Sequence, residues 1–245
     1  MSNGTIRLFV ESDLVPGAEI SATSLQAHYL GAVMRRGVGD PVILFNGRDG
    51  EYLARITLIK RDQARFLADR QTRPQIPLPE MTLVFAPIKR DATDLVVQKA
   101  TELGVTAIYP ILTARSNTQR VNLERFRAIS VEAAEQCERT DLPTLHSPVP
   151  LFQFLAGWPV DKPLAACLER SDAPHLATIP PATGLIVGPE GGFTSSELDV
   201  MRRHPFVMPV SLGSLILRAE TAAIAGLALL QANTAGPANH RGHFV

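Results

Sequence analysis

An arginine and a glutamate lie at the entrance of the most apolar helix that the sequence predicts. Arg218 and Glu220 begin a segment that continues to Gln231 and is otherwise almost entirely Ala, Gly, Ile and Leu. A helix that is apolar nearly all round is expected to be buried, and a buried charged pair costs free energy unless it is paired, hydrogen-bonded or used. Since the helix dipole disfavours a cation at this end, we expect Arg218 to meet an anion, whether Glu220, Glu190 or part of a ligand.

Two glycine-bearing loops lie close together in the same part of the chain. The segment Gly188–Phe193 (GPEGGF) follows one predicted strand, and Leu212–Gly213 follows the next. After the first loop, Thr194 and Glu197 have the spacing of a capping box, which predicts a helix start. The loop matches neither a Walker loop nor a dinucleotide fingerprint, and two adjacent glycines in a turn are often purely structural. Together, the two loops predict one polar ligand held between them, largely by main-chain groups.

Basic side chains recur near the ends of predicted strands and the starts of helices. One set, in the middle of the chain, consists of Lys89, Arg90, Lys99 and Arg115. The carboxyl ends of strands are where α/β proteins bind ligands, although Lys99 also has the spacing for a surface ion pair with Glu102. A second set, near the N-terminus, consists of Arg7, His28, Arg35 and Arg36. These are either solvated surface charges or a face that binds RNA phosphates.

The overall composition does not select a function class by itself. The chain has 245 residues, 45% of them hydrophobic, and a formal net charge of zero. Residues 1–130 carry 17 Lys/Arg against 13 Asp/Glu, and residues 131–245 carry 7 against 11. This mild asymmetry fits an N-terminal part that meets phosphate.

Cysteine usage and hydropathy indicate a cytoplasmic protein. Cys137 and Cys167 are too few and too far apart for a disulfide framework or a zinc motif, so no metal is expected. The N-terminus has no signal-peptide pattern. No apolar run reaches the ~20 residues needed to span a bilayer.

The hydrophobic pattern changes along the chain and predicts two domains. Residues 1–70 form short strands, interrupted by one helix over Ser24–Val33 that Thr23 or Ser24 caps. The predicted strands are Ile6–Val10, Pro41–Phe45, Tyr52–Ile59 and Ala64–Ala68. This pattern predicts a small β-barrel. The proline-containing segment Gln71–Glu80 is the clearest linker.

After the linker, apolar strands alternate with helices, which predicts a parallel sheet covered on both faces. The strands are Met81–Pro87, Ala107–Leu112, Leu164–Leu168, Gly184–Gly188 and Val207–Ser211. The helices are Asp91–Leu103, Leu123–Glu138, Thr194–His204 and Arg218–Gln231. We therefore expect a barrel over residues 1–72, an α/β domain over 73–234 and a poorly ordered tail over 235–245.

The sequence closely resembles the RsmE-type 16S ribosomal RNA uridine-N3 methyltransferases of the SPOUT superfamily. The matching stretches follow one another along nearly the whole chain: His28–Arg35 with Gly39-Asp40, Gln98–Val105, Glu132–Arg139, Val187–Phe193 and Leu212–Thr221. The resemblance implies a PUA-like RNA-binding barrel followed by an α/β domain with a deep C-terminal trefoil knot. It also implies S-adenosylmethionine as cofactor, 16S ribosomal RNA or the assembled small ribosomal subunit as partner, and a homodimer formed through the C-terminal domain.

The resemblance also suggests roles for individual residues. The expected cofactor-binding residues are Leu168, Gly188, Pro189, Glu190, Gly191, Leu212, Gly213, Ile216, Leu217 and Thr221. The expected RNA-binding residues are Arg7, His28, Arg35, Lys89, Arg90, Lys99, Arg115, Gln136 and Arg139. The expected catalytic residues are Arg218 and Glu220.

Uridine N3 must lose a proton before it becomes a good nucleophile, and negative charge then spreads to O2 and O4. A guanidinium near these oxygens favours the reactive form, but it is too basic to be the proton acceptor. Glu220 or Glu190 either accepts the proton or only holds Arg218. Two other readings are an inactive RNA-binding ribosome-assembly factor of the same fold and an α/β enzyme with another cofactor that acts on a small molecule.

Overall fold

The computed structural model describes residues 5–116, 120–168 and 173–234. The tail predicted over 235–245 lies outside these residues. The chain divides into two compact units. The first is Met1–Pro77 together with Val131–Leu142, and the second is Leu78–Ser130 together with Pro143–Val245. The sequence predicts a single division between residues 72 and 73, with residues 131–142 in the second domain. Nothing in the composition of 131–142 associates this segment with the N-terminal strands.

The N-terminal unit is built on one five-stranded sheet. Its strands are β1 (Ile6–Phe9), β2 (Glu19–Ser21), β3 (Pro41–Phe45), β4 (Glu51–Ile59) and β5 (Ala64–Arg73). Their order is β1-β3-β4-β5-β2, with β1 parallel to β3 and the other pairs antiparallel. Register shifts along β4 and β5 bend this long hairpin. Alternate side chains point inward and form a core around Leu8, Leu44, Ile56 and Phe66.

The helix expected over Ser24–Val33 is present, but its hydrogen bonding changes midway. Helix α1 (Ser24–His28) is α-helical, and Tyr29–Val33 continues it as a π-helical turn. Thr23 begins the helix with a complete capping box to Gln26, so the cap is Thr23 rather than Ser24. Leu30 is fully buried in the N-terminal core and anchors the segment.

The second unit contains a seven-stranded parallel sheet. Its strands are β6 (Thr82–Phe85), β7 (Ala107–Leu112), β8 (Thr144–Leu145), β9 (Val149–Pro150), β10 (Leu164–Cys167), β11 (Gly184–Val187) and β12 (Val207–Val210). The order is β12-β10-β11-β6-β7-β8, and β9 also pairs with β7. Every residue of β6 and β11 is buried, as expected for central strands covered on both faces.

Helices and loops cover both faces of this sheet, as the alternating pattern predicts. The helices are α2 (Arg90–Glu102), α3 (Leu123–Gln136), α4 (Leu151–Gly157), α5 (Ser195–Arg203) and α6 (Ala219–Thr234). One core cluster contains Leu83, Val97, Leu185 and Leu227, and a second contains Val84, Phe154, Ile186 and Met201. Odd and even residues of β6 and β11 therefore point to opposite faces.

Within this chain, helix α6 is buried on one side only, although its composition predicts a buried helix. Ala223, Leu227 and Leu230 are buried, whereas Ile224 and Leu229 are partly exposed and Ala228 is exposed. The apolar composition of α6 is the same whether the helix is surrounded within its own chain or presents a second apolar face, so composition does not distinguish the two cases.

Several elements were not expected from the sequence. Leu151, Phe154 and Leu155 of α4 have helical spacing. The helix is only seven residues long, which is too short for this spacing to predict it. Strands β2, β8 and β9 are two or three residues long and leave no periodic signal. Strand β5 continues to Arg73, three residues into the linker expected over Gln71–Glu80.

Candidate active site

A cleft of about 1180 Å³ opens at the carboxyl edge of the parallel sheet. It is lined by the segments that follow β6, β7, β10, β11 and β12. Open α/β sheets bind their ligands at this edge, because the loops that leave neighbouring strands converge there. Both glycine-bearing loops predicted from the sequence line the cleft.

The structure brings together nearly all of the residues expected to bind a cofactor. Those that line the cleft are Leu168, Gly188, Pro189, Glu190, Gly191, Leu212, Gly213, Ile216 and Leu217. Thr221, which is exposed on α6, does not line it. The glycine loop turns through a hydrogen bond from Gly192 N–H to the carbonyl of Pro189 at 2.9 Å.

The second loop combines a special backbone conformation with exposed apolar side chains. Gly213 has φ = 128°, a conformation that L residues rarely adopt. Leu215 and Ile216 are 80% and 69% exposed although they are large and apolar. Such side chains favour contact with the apolar part of a ligand or with another protein surface.

Arg218 lies at the mouth of α6, one residue before the helix begins. Its carbonyl oxygen accepts the first intrahelical bond, from Ala222 N–H at 2.8 Å. Its side chain is exposed and lines the cleft together with Glu220. Within the described ranges, the guanidinium of Arg218 makes no ion pair or hydrogen bond. Of the anions that the sequence offered, Glu220 and Glu190 do not pair with Arg218 in the described ranges, which leaves a ligand anion as the third alternative.

Three of the basic residues expected to bind RNA lie at the same cleft. Lys89, Arg90 and Arg115 are exposed and line it. Nη1 of Arg115 donates to the carbonyl oxygen of Gly191 at 2.7 Å. Lys99 does not line the cleft and instead forms an ion pair with Glu102 at 2.8 Å, which is the structural alternative that its spacing allows.

In the N-terminal unit, Arg7 and Arg139 are held inside and are not presented to solvent. The side chain of Arg7 is 10% exposed, forms an ion pair with Glu51 and donates to the carbonyl of Arg139 at 3.0 Å. The side chain of Arg139 is 6% exposed and pairs with Asp141 at 2.9 Å. This arrangement argues against a phosphate contact by either guanidinium. His28, Arg35 and Gln136 are exposed.

Two carboxyl groups of this buried cluster have opposite pKa shifts. Burial opposes ionisation of Glu51, but hydrogen bonds from Arg73, Thr72 and Arg7 outweigh it and lower the pKa of Glu51 to about 2. Glu135 accepts a hydrogen bond from Phe9 N–H at 2.9 Å. Its burial, helped by the nearby charge of Glu132, raises the pKa of Glu135 to about 7. The sequence did not reveal this cluster, because its members are far apart along the chain.

The cleft wall also contains the thiol of Cys167. Burial raises the pKa of Cys167 to about 12, so the thiol is neutral at physiological pH and is not a nucleophile there. Among the residues that the structure describes, no group of three or more His, Cys, Asp or Glu side chains is placed to hold a metal ion. The described helices include none that is long and apolar enough to cross a membrane.

Glu197 is a buried residue that the sequence pattern identified only as part of a helix cap. It is 2% exposed and accepts a hydrogen bond from Ala114 N–H at 2.8 Å. The only signal in the sequence was the spacing from Thr194, which predicts the cap and not the contact with a loop 83 residues earlier.

Comparison with known proteins agrees with this geometry. A family model described as an RNA methyltransferase domain matches residues 74–231, and one described as an RNA methyltransferase PUA domain matches residues 26–67. The parallel α/β fold, its cleft and these two matches define an RNA methyltransferase with a PUA domain.

Relatives that match over nearly the full length identify the family. Ribosomal RNA small subunit methyltransferase E of Rickettsia conorii is 34% identical, with 91% of this chain and 93% of that protein covered. The protein of the same name from Synechocystis is also 34% identical, with 92% and 77% covered. The chain belongs to the ribosomal RNA small subunit methyltransferase E family.

Solved structures give the same result. A putative methyltransferase of Legionella pneumophila in complex with S-adenosylmethionine has a TM-score of 0.82 and 32% identity, with 94% of this chain and 98% of that chain covered. Ribosomal RNA small subunit methyltransferase E of Neisseria gonorrhoeae, bound to S-adenosylmethionine, also has a TM-score of 0.82, with 27% identity and the same coverage.

Proposed function

We propose that this chain transfers the methyl group of S-adenosylmethionine to N3 of a uridine in the 16S RNA of the small ribosomal subunit. The observation that carries the proposal is the cleft itself. Two glycine-bearing loops and an arginine without a partner in the described chain meet at the carboxyl edge of the sheet. Family membership supports the same activity.

The residues of the cleft fit the proposed cofactor. S-adenosylmethionine has polar amino-acid and ribose groups, an adenine ring and a sulfonium that supplies an electrophilic methyl group. The loop Gly188–Gly192 offers main-chain groups to its polar parts. Leu168, Leu212 and Leu217 offer apolar surface at the same cleft. Methyl transfer is a direct displacement, so the protein's main task is to place the two reactants.

Arg218 supplies the electrostatic part of the mechanism. As the N3–H proton leaves, negative charge develops on O2 and O4 of the uracil ring. A guanidinium fixed beside these oxygens stabilises this charge more than it stabilises the neutral base. Glu220 and Glu190 line the same cleft, and we propose that one of them accepts the proton or orients Arg218.

Ribosomal RNA is held by exposed cations of both units. At the cleft these are Lys89, Arg90 and Arg115, and in the N-terminal unit His28 and Arg35, with Gln136 as a further polar contact. We assign the PUA-like, barrel-forming N-terminal unit to RNA binding and the α/β unit to catalysis. Either 16S RNA or the assembled small subunit is the substrate, which places the protein in the cytoplasm with the ribosomes.

We further propose that two copies pair through the α/β unit. The support is the second, partly exposed face of α6, which is formed by Ile224, Ala228 and Leu229. Covering such a face with an equivalent surface buries apolar area without stranding a polar group. A monomeric mass by light scattering at micromolar concentration, in a fully active sample, would contradict pairing.

We also propose the trefoil knot of the SPOUT superfamily for the α/β unit. Its support is the packing of the last helix against the segment that precedes β11. Asn233 Nδ2 donates to the carbonyl of Leu176 at 3.4 Å. The N–H of Ser211 donates to the carbonyl of Pro174, and the carbonyl of Ser211 accepts from the N–H of Leu176. The chain that follows β12 thus runs beside the chain that connects β10 to β11.

The proposed reaction is tested with S-adenosylmethionine carrying a tritiated methyl group. Small ribosomal subunits from cells that lack this protein, and RNA extracted from them, are the two substrates. We expect label in 3-methyluridine after nuclease digestion. Binding without label would favour a ribosome-assembly factor, and label in a small molecule but not in RNA would favour another enzyme class.

A further inference from the structure

Glu197 joins the loop after β7 to the start of α5 through a buried carboxylate. One carboxylate oxygen accepts from Ala114 N–H at 2.8 Å. The other accepts from the N–H of Thr194 at 2.7 Å and from its hydroxyl at 2.9 Å. A capping box requires only the bonds to Thr194. The bond to Ala114 therefore does something other than start the helix.

Its consequence is the position of Arg115. Ala114 immediately precedes Arg115, whose Nη1 donates to the carbonyl of Gly191 at 2.7 Å. The turn that carries both residues is closed by Ser116, whose hydroxyl accepts from Thr113 N–H at 2.9 Å. The loop after β7 is thus joined to the start of α5 by Glu197 and to the loop Gly188–Phe193 by Arg115. Arg115 is held where it lines the cleft.

We propose that Glu197 is a positioning residue for RNA binding: through Ala114 it fixes Arg115 at the cleft, where the guanidinium contacts a phosphate of the bound RNA. This inference rests on the proposed function, because it takes ribosomal RNA as the ligand. A guanidinium has five N–H donors, and the bond to Gly191 uses one of them. The remaining donors match phosphate oxygens, and holding the side chain in place before binding reduces the entropy that binding costs.

Two substitutions separate the positioning role of Glu197 from its role in the cap. Glutamine suits this capping-box position as well as glutamate does. Glu197→Gln therefore keeps the bonds to Thr194 and places an NH₂ group against the N–H of Ala114. Thr194→Ala does the reverse. It removes the capping hydroxyl, leaves the bond to Ala114 and lowers the melting temperature by about 2–4 °C.

The test is a double-mutant cycle on the affinity for small ribosomal subunits from cells that lack this protein, measured by filter binding. Arg115→Ala is expected to raise Kd roughly tenfold, since it removes a hydrogen-bonded charge. Glu197→Gln should raise Kd by nearly as much. The double variant should match Arg115→Ala alone, because both changes remove the same contact. Thr194→Ala should bind subunits like the wild type despite its lower melting temperature.

Additive losses in the double variant would overturn the inference, and so would unchanged affinity in a folded Glu197→Gln protein. Methyl transfer to the same subunits is followed in parallel. A wild-type protein that binds subunits without methylating them would refute the proposed function while the cycle still decides the role of Glu197. A wild-type protein that does not bind them would refute both.

Discussion

Gly226 of α6 lies directly against Leu185 of β11. A Cβ atom on Gly226 would lie 2.6 Å from Cδ2 of Leu185, which is fully buried. Gly226→Val therefore forces either the helix or the central strand to move, and overpacking of this kind costs about 1–3 kcal/mol. We expect a lower free energy of unfolding by chemical denaturation and weaker cofactor binding, since the loop that leads into α6 moves with it.

Ala232→Val is the control for Gly226→Val, because Ala232 is exposed on the same helix. It should lower the free energy of unfolding by no more than about 0.7 kcal/mol, the helix-propensity difference between Ala and an ordinary residue. Equal stability of the two variants would mean that α6 does not need the close approach at Gly226.

The buried pair of Arg7 and Glu51 predicts a large stability effect in the N-terminal unit. Glu51→Ala leaves the guanidinium of Arg7 buried without its carboxylate, which costs about 3–5 kcal/mol. Asp13→Asn is the control: it breaks an ion pair with Arg48 in which the side chain of Asp13 is 86% exposed, and exposed pairs contribute at most about 1 kcal/mol. Similar unfolding midpoints in urea for both variants would refute the account of the buried pair.

Glu135 predicts a pH dependence of stability near neutrality. Its pKa is raised in the folded chain to about 7, so the folded state binds a proton more tightly than the unfolded state. The contribution of Glu135 to the free energy of unfolding is fully present below pH 4.5, the ordinary pKa of a glutamate, and is lost as pH rises through 7. Glu135→Gln removes the ionisation that causes this loss and should stabilise the protein by on the order of 2–3 kcal/mol at pH 8.

Thermal unfolding of the wild type and Glu135→Gln between pH 5 and 8 measures this difference. The gain from the substitution should grow with pH. A gain that is the same at pH 5 and pH 8 would mean that Glu135 does not titrate in this range. Glu51 acts in the opposite direction, because its pKa is lowered to about 2, and its contribution is lost as pH falls from 4.5 towards 2.

The position of the cofactor is tested at Gly191. A Cβ atom there would lie 3.3 Å from Cδ of Arg115, and a β-branched side chain also obstructs the main chain of the loop. Gly191→Val should abolish S-adenosylmethionine binding by calorimetry with little change in melting temperature. At Gly157, an exposed helix end, nothing lies within 4 Å of an added Cβ, so Gly157→Val should bind the cofactor normally. Unchanged affinity in Gly191→Val would exclude this loop as the cofactor site.

Local patterns predicted the α/β unit well, because its elements are determined by short-range signals. Apolar runs gave strands such as Ala107–Leu112, and the Thr194–Glu197 spacing gave the start of α5. Most residues expected to bind the cofactor lie in two loops that the sequence pattern identifies, and the fold brings these loops together at the edge of the sheet.

Contacts between distant segments were not predictable. Arg7 was expected to contact RNA, but it is paired with Glu51, 44 residues away. A single sequence gives the charge of a side chain and not its neighbours, so surface and buried arginines look alike. For the same reason, the sequence did not predict the hydrogen bond between Ala114 and Glu197 or the partly exposed second face of α6.

The proposed mechanism depends most on the catalytic role proposed for Arg218. Its guanidinium lines the cleft and makes no ion pair or hydrogen bond in the described parts of the chain, so its removal should leave stability unchanged. If it stabilises the anionic uracil, the contact belongs to the transition state. Arg218→Ala should then lose about 10²–10³ in rate while cofactor affinity stays close to that of the wild type. Arg218→Lys should recover only part of the rate, since an ammonium cannot reproduce the guanidinium fork.

The direct test is the single-turnover rate of methyl transfer by Arg218→Ala, with saturating S-adenosylmethionine and small ribosomal subunits that lack the methyl group. Thermal unfolding of the same sample establishes that it is folded. We expect a rate lower by about 10²–10³ in a protein with the wild-type melting temperature. A normal single-turnover rate in that stable variant would contradict it and remove Arg218 from the catalytic residues.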